Sequence, residues 1–580
     1  MTVPPDVVVG RPATGSVRAG FEGWADPAAV GAYPGYLTDE SRLQGRADLV
    51  AFPESEAEVV QLLQEAARAD ATVTVSAGRT GVVGGAVPPG GWVLSVERLD
   101  RVDRFTWDQA SGEFRLRVGA GVPLAVLRRA IRSGRFPFAA PPDSVTCALL
   151  EEFRAQSTRW VFPPDPTEAT AQIGGMAASN ASGARTFAFG PTRAWVRGLT
   201  VVLADGLVLD LARGEHRRGP GQAWQISRAV GAGAPVDAGP SPILTVPAPT
   251  WRIPAIKHAA GYFAAPGGAP TDLLDLFIGS EGTLGVITAV EIALRRVEGL
   301  PVEVVAFFPH RRAACRFVHL MRAHRDDPAF VVEALEYLCA DSLALLQAHV
   351  EPTLRRGSRT ACRPAAPSIS PNHGVDGSFG VDQTVAVFVG LRLRREVAPG
   401  LAAVDRLIAE AGGLVEASLA AVGPVDQARL EHLRHALPET VNRLIASLRE
   451  VHPGITKLGT DMAVPDEHLE AVMDLYAARL REAGLRHVMF GHIGNNHLHV
   501  NIIPRTPAEY DRGRALYLEF AREIVALGGS VSAEHGIGKL KKYLLPAQFD
   551  AQTLAAMRGL KRALDPAGRL GPGTLFEASS

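Results

Sequence analysis

The stretch that decides the fold runs from residue 163 to residue 206 and reads PPDPTEATAQIGGMAASNASGARTFAFGPTRAWVRGLTVVLADG. It combines two adjacent glycines, Gly174 and Gly175, with a run of small residues and then Ser182-Gly183-Ala184. Residues with small or absent side chains let a backbone come close to a large, flat ligand. The stretch therefore predicts close contact between this part of the backbone and such a ligand.

Two further segments carry the same signature. SAGRTGVVGGAVP (76–88) follows a strand-like run, and its glycines let successive backbone N–H groups point into one concavity that suits a pyrophosphate. FIGSEGTLGVIT (277–288) is a third segment rich in glycine and small residues. The segment 76–88 is neither a G-x-x-x-x-G-K-[ST] loop nor a G-x-G-x-x-G turn, and a Gly-rich turn taken alone is more often structural. Three such segments separated by strands predict one long cofactor lying across a domain.

Composition and length exclude several classes of protein. A chain of 580 residues predicts two to four domains. The formal net charge of −1 and the lack of a long basic run exclude nucleic acid as an expected partner. The 4 cysteines lie far apart without a C-x-x-C pair, which argues against an iron–sulfur cluster and is typical of reduced thiols in a cytoplasmic protein. We find no secretory signal and no stretch of about 18 apolar residues, so peripheral membrane attachment stays open.

Local patterns along the chain predict an α+β protein. Ser55 is a predicted N-cap with Glu58 as its capping-box partner, and an apolar stripe at helical spacing follows: Val59, Leu62, Leu63 and Ala66. Asp205-Gly206 between two apolar runs predicts a tight hairpin. Residues 1–45 and 211–260 are rich in Pro and Gly and predict irregular structure, and 352–380 predicts an inserted loop. We place a seam near 296–301 and another near 480.

A histidine-rich stretch near the end, FGHIGNNHLHVN (490–501), carries candidate ligands. HLHVN reads as a strand, so His497, His499 and Asn501 would share one face, and a turn would bring His492 back towards His499. A carboxylate follows at Glu534 in SVSAEHGIGK (530–539). Imidazole and carboxylate form a normal set of ligands for Zn²⁺ or another divalent ion, whereas the alternative is hydrogen-bonded residues at a strand end.

The ordered set of motifs resembles a known family. AGRTGVVGGAVP, PPDP…IGG, LADG, GSEGTLGVIT, GHIGNNHLHVN, AEHGIGK and ALDPAGRLGPG resemble, in this order, the flavoproteins of the vanillyl-alcohol-oxidase type. The C-terminal half is similar to the branch of D-lactate, glycolate and D-2-hydroxyglutarate dehydrogenases. The resemblance implies an N-terminal extension (1–45), a two-subdomain FAD-binding domain (46–298) and an α+β substrate-binding cap with an antiparallel sheet (299–480). It also implies a C-terminal, partly helical segment (481–580) whose metal and catalytic motifs pack on the flavin.

The resemblance also implies which residues hold FAD. The carried-over positions are Gly78, Arg79, Thr80, Gly81, Gly84, Gly85, Pro164, Asp165, Gly174, Gly175, Ser179, Gly183, Gly282, Thr283, Gly285, Val286 and Ile287. Some wider relatives attach the flavin covalently through a histidine in the first turn. Arg79 holds that position here, so we expect non-covalent FAD. Arg79 either contacts a phosphate or is a solvent-exposed arginine.

The family's metal motif maps onto the histidine stretch with departures. The resemblance implies that His492, His499 and Glu534 bind a divalent metal, with zinc expected, and that His535 takes the hydroxyl proton while hydride passes to flavin N5. The family has Asp-Gly-Asn where this chain has Asn495-Asn496-His497. Loss of the Asp predicts weaker metal binding. His497 is either a fourth ligand, a donor behind the ligands or a structural residue.

Substrate-binding residues are implied by the same resemblance. Arg434 and Lys457 are the expected cations for the carboxylate of a 2-hydroxy acid, and Asn501 is expected to contact that carboxylate or the hydroxyl. The Lys257 element, KHAAGYF (257–263), resembles a family element near the flavin.

The activity implied is oxidation of a D-lactate-like D-2-hydroxy acid to its 2-oxo acid. Electrons would go to a separate quinone, cytochrome, electron-transfer flavoprotein or iron–sulfur protein, and the location would be cytoplasmic or peripheral to the inner membrane. A flavin-dependent transferase similar to alkylglycerone-phosphate synthase, a non-enzymatic scaffold and a homodimer stay open.

Overall fold

A computed structural model describes residues 7–11, 27–228, 243–354 and 384–577. The chain divides into two compact units. The first unit comprises Met1–Ser182, Pro191–Val297 and Glu534–Ser580, and the second comprises Gly183–Gly190 and Glu298–Ala533. Both helices and largely antiparallel sheets are present, which confirms the α+β class. The boundaries of the four predicted segments remain predictions.

The strands of the first unit are mostly short. They are β1 (Val7–Gly10), β2 (Leu49–Ala51), β3 (Val73–Ser76), β4 (Trp92–Ser95), β5 (Val102–Asp108), β6 (Glu113–Gly119), β7 (Trp160–Val161), β8 (Val196–Val202), β9 (Val208–Ala212), β10 (Arg217–Arg218), β11 (Ala223–Arg228), β12 (Ile243–Pro247), β13 (Thr271–Asp272), β14 (Val286–Ala293) and β15 (Arg295–Arg296).

The strands of the second unit include three of nine residues each. They are β16 (Leu300–Phe308), β17 (Phe330–Leu338), β18 (Val385–Leu393), β19 (Leu419–Ala421), β20 (Leu458–Gly459), β21 (Met462–Ala463), β22 (His487–Gly491) and β23 (His497–Ile502).

Helices occur in both units. They are α1 (Glu56–Arg68), α2 (Leu124–Ser133), α3 (Ser144–Arg154), α4 (Ile173–Ala178), α5 (Thr186–Phe189), α6 (Leu273–Phe277), α7 (Arg311–Ala323), α8 (Ala340–Leu354), α9 (Val397–Glu410), α10 (Pro424–Val451), α11 (Leu469–Glu482), α12 (Pro507–Ala526), α13 (Leu545–Gln548) and α14 (Ala551–Leu564). Among the described residues, none of them is both long and apolar enough to cross a bilayer.

The first unit is built on a five-stranded antiparallel sheet and a small parallel sheet. The five strands lie in the order β5-β6-β14-β8-β9, and the parallel sheet has the order β2-β4-β3. Helix α1 packs its predicted stripe on these strands, with Val59 and Leu62 each 0% exposed in one core with Val73 and Val286. The core therefore sits beneath the end of β3, where the first Gly-rich turn begins.

The predicted capping signal and hairpin are both confirmed. The side chain of Ser55 accepts the backbone N–H of Glu58 at the start of α1, and the carboxylate of Glu58 accepts the N–H of Glu54 at 2.8 Å. Strands β8 and β9 pair antiparallel on either side of Asp205-Gly206. Gly206 has φ +85°, a left-handed conformation that a residue with a Cβ adopts only with strain.

Two predictions of irregular structure are wrong in part. The segment 211–260 contains β11 and β12, which pair antiparallel, and Val7–Gly10 within the predicted N-terminal extension pairs parallel with β11. Val246 and Trp224 are fully buried, so apolar residues within these Gly- and Pro-rich stretches drive sheet formation. In the predicted insertion 352–380, residues 352–354 end α8 and the remainder lies outside the described residues.

The second unit is built on a large antiparallel sheet. Its strands lie in the order β19-β16-β18-β17-β22-β23-β20, and β21 also pairs with β23. The histidine stretch thus forms β22, a short 3-10 turn (Ile493–Asn495) and β23, with Phe490 opposite His499. The segment from β20 to β21 runs along the other side of β23, with Gly459 opposite Asn501 and Ala463 opposite His497. Two backbones therefore flank the strand that carries the candidate ligands.

Candidate functional site

The first Gly-rich turn presents a concave run of backbone. No backbone amide from Gly78 to Gly85 donates to a backbone oxygen within the part of the chain that the structure describes. A Cβ added at Gly78 would come 2.9 Å from the carbonyl oxygen of Thr170, whereas one added at Gly81 or Gly85 would meet no protein atom within 4 Å. Amides without protein acceptors beside open space fit the pyrophosphate of a dinucleotide.

Arg79 lies within this turn in the left-handed region, with φ +56°. Its guanidinium lies 4.0 Å from the centroid of the Tyr36 ring and donates to the carbonyl of Ala77 at 3.0 Å. The side chain is half-buried, so the alternative of a solvent-exposed arginine is wrong. Tyr36 in turn donates its hydroxyl to Glu97. Contact with the Tyr36 ring therefore holds the guanidinium of Arg79, with its positive charge and N–H donors, near the turn.

The second segment packs closely against the first. Gly174 lies in α4, where an added Cβ would collide with the Cβ of Ala120, and at Gly175 it would come 2.9 Å from the Cβ of Ala77. Ser179 donates to the carbonyl of Gly175 at 2.9 Å. Both glycines are therefore required by packing within the first unit. Pro164 is buried and its carbonyl accepts from Arg128 at 3.2 Å, whereas Gly183 belongs to the second unit.

The third segment links the flavin-type motifs to the chain around His535. The carboxylate of Glu281 accepts the backbone N–H groups of Ile537 and Gly538 at 2.9 and 2.7 Å. Burial raises the pKa of Glu281 to about 7, against the lowering effect of these hydrogen bonds. Thr283, 1% exposed, contacts the hydroxyl of Tyr262 at 2.8 Å. Strand β14 then begins at Val286 and Ile287, directly after Gly285.

A buried ion pair holds the carboxylate of Glu534 in the first unit. Lys257 Nζ lies 2.6 Å from Glu534 Oε2, with the two side chains 4% and 9% exposed. Ser182 donates its hydroxyl to the same oxygen at 2.9 Å. His535 Nε2 lies 3.6 Å from the other oxygen, Oε1. Lys257 and Ser182 therefore fix the position of this carboxylate, and a carboxylate is a common ligand of divalent metals.

Three imidazoles cluster in the second unit. The turn after β22 brings His492 back so that its ring centroid lies 5.6 Å from that of His499, and the His497 and His499 centroids lie 4.4 Å apart. One nitrogen of each of the three rings lies within 4.8 Å of the others. The face that the strand periodicity predicts therefore exists. The donor set fits zinc, cobalt, copper or nickel rather than magnesium or calcium, which prefer oxygen ligands.

An oxygen atom lies close to one nitrogen of each of the three rings. Glu336 Oε1 lies 2.6 Å from His492 Nδ1, the carbonyl of Thr460 lies 3.1 Å from His499 Nδ1, and Asp461 Oδ1 lies 3.0 Å from His497 Nε2. Asp461 and His497 are both 0% exposed. Asp461 also accepts the hydroxyl of Ser532 at 2.6 Å. Residues of the segment between β20 and β21 supply two of these oxygens because that segment pairs with β23.

The turn that departs from the family pattern is held by an arginine. Asn496 has φ +52°, and asparagine is among the few residues that tolerate this conformation where the family carries glycine. Its amide nitrogen donates to Val464 and Asp466, and its oxygen accepts from Arg322. Arg322 also donates to the carbonyl of Ile493 at 2.8 Å. The Gly-to-Asn change therefore adds side-chain contacts to a turn that keeps a glycine-like backbone.

The three predicted substrate-binding residues are not all brought together. An added Cβ at Gly459 would lie 2.8 Å from Asn501 Oδ1 and 3.5 Å from Lys457 Cε, so these two side chains are neighbours. Asn501 is 1% exposed, and its Oδ1 has no hydrogen-bond partner among the described residues. Arg434, half-buried on α10, lowers the pKa of Glu303, which burial raises to about 7. Among the described residues, no hydrogen bond joins Arg434 to the other two residues.

Comparison with known protein families identifies the chain. The FAD binding domain family matches residues 47–150 and 145–212, and the C-terminal domain of FAD linked oxidases matches 302–575. The chain belongs to the FAD-linked oxidases. The FAD cofactor expected from the motifs is supported by the match to the FAD-binding domain, and the enzyme is an oxidoreductase.

Two dehydrogenases and one solved synthase are among the proteins that are similar to this FAD-linked oxidase. It is 28% identical over 537 residues to a D-2-hydroxyglutarate dehydrogenase of Xanthomonas citri pv. viticola, covering 91% of this chain and 89% of the relative. It is 24% identical to a D-lactate dehydrogenase of Anaerostipes hadrus, covering 93% and 92%. A solved alkyldihydroxyacetonephosphate synthase has a TM-score of 0.54 at 14% identity, covering 92% of this chain and 77% of that chain. That likeness shows the fold alone.

Several residues of this FAD-linked oxidase's site escape sequence reasoning. Glu336, Thr460 and Asp461 reach the histidines only through sheet pairing, and no local motif distinguishes them from other residues. The Ser182 hydroxyl stands inside the quoted small-residue stretch without a chemical signature of its own. The Lys-x-x-x-Gly-Tyr element does point to Lys257, whereas its ion pair with Glu534 has no signal in the sequence.

Proposed function

We propose that this FAD-linked oxidase oxidises a D-2-hydroxy acid to the 2-oxo acid and passes the electrons to a separate acceptor. The observation that carries the proposal is the cluster of three imidazoles in the second unit, together with the buried Oδ1 of Asn501 on β23, which has no hydrogen-bond partner among the described residues. The names of relatives that cover most of both chains support the substrate class.

FAD is held without a covalent bond in this proposal. The backbone amides of residues 78–85 hold the pyrophosphate, and Arg79 adds a positive charge. The glycines of the second and third segments have no side chain, so the backbone there would approach the flavin closely. FAD, when bound, would supply a two-electron acceptor for the oxidation of the substrate α-carbon.

The metal site of the proposal uses the ligands predicted from sequence, His492, His499 and Glu534, with zinc as the ion. A divalent ion, when bound, would lower the pKa of the substrate hydroxyl. Glu336 and the Thr460 carbonyl favour a proton on Nδ1 of the two histidines, so that each Nε2 carries the lone pair for coordination. Lys257 and Ser182 fix the orientation of Glu534. His535 accepts the hydroxyl proton.

The substrate is oriented by polar groups of the second unit. Lys457 and Arg434 attract and hold the carboxylate, and Asn501 accepts a hydrogen bond at an oxygen that is otherwise buried without a partner among the described residues. An unpaired buried acceptor costs stability, and a ligand that donates to it recovers that cost. Asn501 therefore favours a substrate that carries a hydroxyl group.

A flavin-reduction screen tests this function. Purified, FAD-replete protein is mixed anaerobically with D- and L-forms of lactate, glycerate and 2-hydroxyglutarate, and with glycolate, with and without zinc chelator. We expect bleaching of the oxidised flavin band by a D-acid and its loss after chelation. His492→Ala should behave like the chelated protein, and His487→Ala at the start of the preceding strand, β22, is the matched control.

A stable oxidised spectrum with every 2-hydroxy acid would sink the proposal and favour non-redox chemistry, as in the transferase alternative. Full reduction by the L-acid alone would contradict the stereochemistry. An unchanged rate after complete removal of zinc would remove the metal from the mechanism while leaving the oxidation in place. Candidate acceptors are then supplied singly, a quinone or a cytochrome among them, to the reduced enzyme, and reoxidation is timed.

A further inference from the structure

His497 stands where the family pattern has an asparagine, and its environment is that of a metal ligand. We propose that His497 is a third imidazole ligand, so that the second unit alone supplies three nitrogen donors, His492, His497 and His499. This inference rests on the metal of the proposed function and changes the ligand set assigned to it.

The geometry of the rings carries the first step. One nitrogen from each of the three histidines lies within 4.8 Å of the other two, and the His497 centroid lies 4.4 Å from His499 and 5.4 Å from His492. Tetrahedral zinc has Zn–N distances of about 2.0–2.1 Å, which places its nitrogen ligands roughly 3.4 Å apart. Small rotations of the rings therefore suffice to bring three nitrogens onto one ion.

The acceptors behind the rings carry the second step. Histidines that bind metals in proteins nearly always direct the opposite ring nitrogen to a carboxylate or a backbone carbonyl. His492 and His499 follow this rule, and a buried carboxylate also lies beside His497, with Asp461 Oδ1 3.0 Å from Nε2 at an ion-pair distance. The carboxylate favours a proton on Nε2, and this tautomer puts the ligand lone pair on Nδ1.

The buried carboxylates beside the rings are the third observation that supports a metal ion at this cluster. Asp461 is 0% exposed and Glu336 is 6% exposed, so two carboxylates lie buried behind the rings. Burying an ionised carboxylate is expensive unless a positive charge or strong hydrogen bonds compensate for it. The hydroxyl of Ser532 donates to Asp461 at 2.6 Å, and a divalent cation bound by the rings would place two further positive charges near both acids.

A third neutral imidazole has a chemical consequence. Two imidazoles and a carboxylate suit a wide range of divalent ions, whereas three imidazoles favour zinc, copper, nickel and iron over magnesium, calcium and manganese. The second unit then retains the metal even when Glu534 is changed. Glu534 becomes the ligand that adjusts the charge and the coordination number of the ion, and His497 compensates for the missing aspartate at Asn495.

X-ray absorption and competitive chelation with zinc test the ligand set on the full-length, FAD-loaded protein. The wild type should give three imidazoles in the first coordination shell, and His497→Asn, which restores the family residue, should give two. We expect the zinc affinity of His497→Asn to fall at least about tenfold, and that of Asp461→Asn to fall by a similar factor with three imidazoles retained. Glu534→Gln should keep stoichiometric zinc and three imidazoles. His487→Asn is the matched control and should be unchanged.

Two imidazoles in the wild type, an affinity of His497→Asn within twofold of wild type, or a wild type that takes up no zinc would each overturn the inference. Circular dichroism and FAD content show whether each variant folds. The number of imidazoles in the X-ray absorption spectrum of the wild type tests the inference even if a variant does not fold. Failure of the proposed function is a separate outcome, because it shows as a flavin that no D-2-hydroxy acid reduces, whatever the number of imidazoles.

Discussion

Lys257 and Glu534, 277 positions apart in sequence, form an ion pair of 2.6 Å between side chains that are 4% and 9% exposed. The pair joins the KHAAGYF element to the AEHGIGK element within the first unit. A buried pair of this kind is sensitive to the loss of one partner, because the remaining charge stays in a poorly solvated site. The relationship makes Lys257 a positioning residue for a carboxylate that we propose as a metal ligand.

Lys257→Met should therefore lower the free energy of unfolding by about 3 kcal/mol, measured by urea titration. The double variant Lys257→Met/Glu534→Gln should recover most of that loss, since it removes both charges. Lys542→Met is the matched control, because its pair with Glu577 is 84% exposed on the acid side and contributes less than about 1 kcal/mol. Equal losses in the single and the double variant would show that the two charges do not interact.

Two glycine variants separate ligand contact from protein packing. Gly174→Ala should lower the stability of the FAD-free protein, because the new Cβ collides with Ala120. Gly81→Ala should leave that stability within about 0.5 kcal/mol, since its Cβ meets no protein atom within 4 Å, yet it should weaken FAD binding at least about tenfold if the pyrophosphate occupies the turn. Thermal midpoints without FAD and fluorescence titrations with FAD give both values. Unchanged FAD affinity in Gly81→Ala would place the cofactor elsewhere.

The backbone of Asn496 should distinguish two substitutions that remove the same side-chain contacts. Asn496→Gly keeps the left-handed conformation without strain, whereas Asn496→Ala adds a penalty of about 1 kcal/mol at φ +52°. Both variants lose the bonds to Arg322, Val464 and Asp466. We expect the alanine variant to unfold at the lower temperature, and equal thermal midpoints would contradict a backbone contribution. Asn442→Ala on the exposed face of α10 controls for the loss of an amide.

The stability of the protein should depend on pH through Glu281, whose pKa burial raises to about 7 from an ordinary value of 4.5. The folded protein holds the proton more tightly than the unfolded chain between these values. The contribution of Glu281 is therefore complete below about pH 4.5 and is lost as the pH rises through 7, by up to about 3 kcal/mol. The difference in unfolding free energy between wild type and Glu281→Gln, measured at intervals from pH 4.5 to 8, should fall across that range. A difference that stays constant with pH would mean that Glu281 is ionised throughout.

The sequence by itself determined the local structure and the chemical class of the protein. Capping at Ser55, the stripe of α1, the hairpin at Gly206 and the HLHVN strand all follow from interactions between near neighbours, which short patterns encode. The order of Gly-rich and histidine motifs was specific enough to identify a flavin-dependent oxidase. The prediction of irregular structure for 211–260 was wrong in part. Its Gly and Pro content indicates loops, whereas β11 and β12 form because they pair with each other and with β1.

The tertiary structure alone decided which groups stand behind the predicted ligands. Asp461 and Thr460 reach the histidines because their segment pairs with β23, and Glu336 reaches His492 because β17 pairs with β22. Lys257 and Ser182 meet at Glu534 across hundreds of residues of sequence. Such contacts depend on strand order and register, which arise from the packing of the whole core. A single sequence therefore predicts the ligand types, whereas the partners that set their charge and orientation become visible only when distant segments lie side by side.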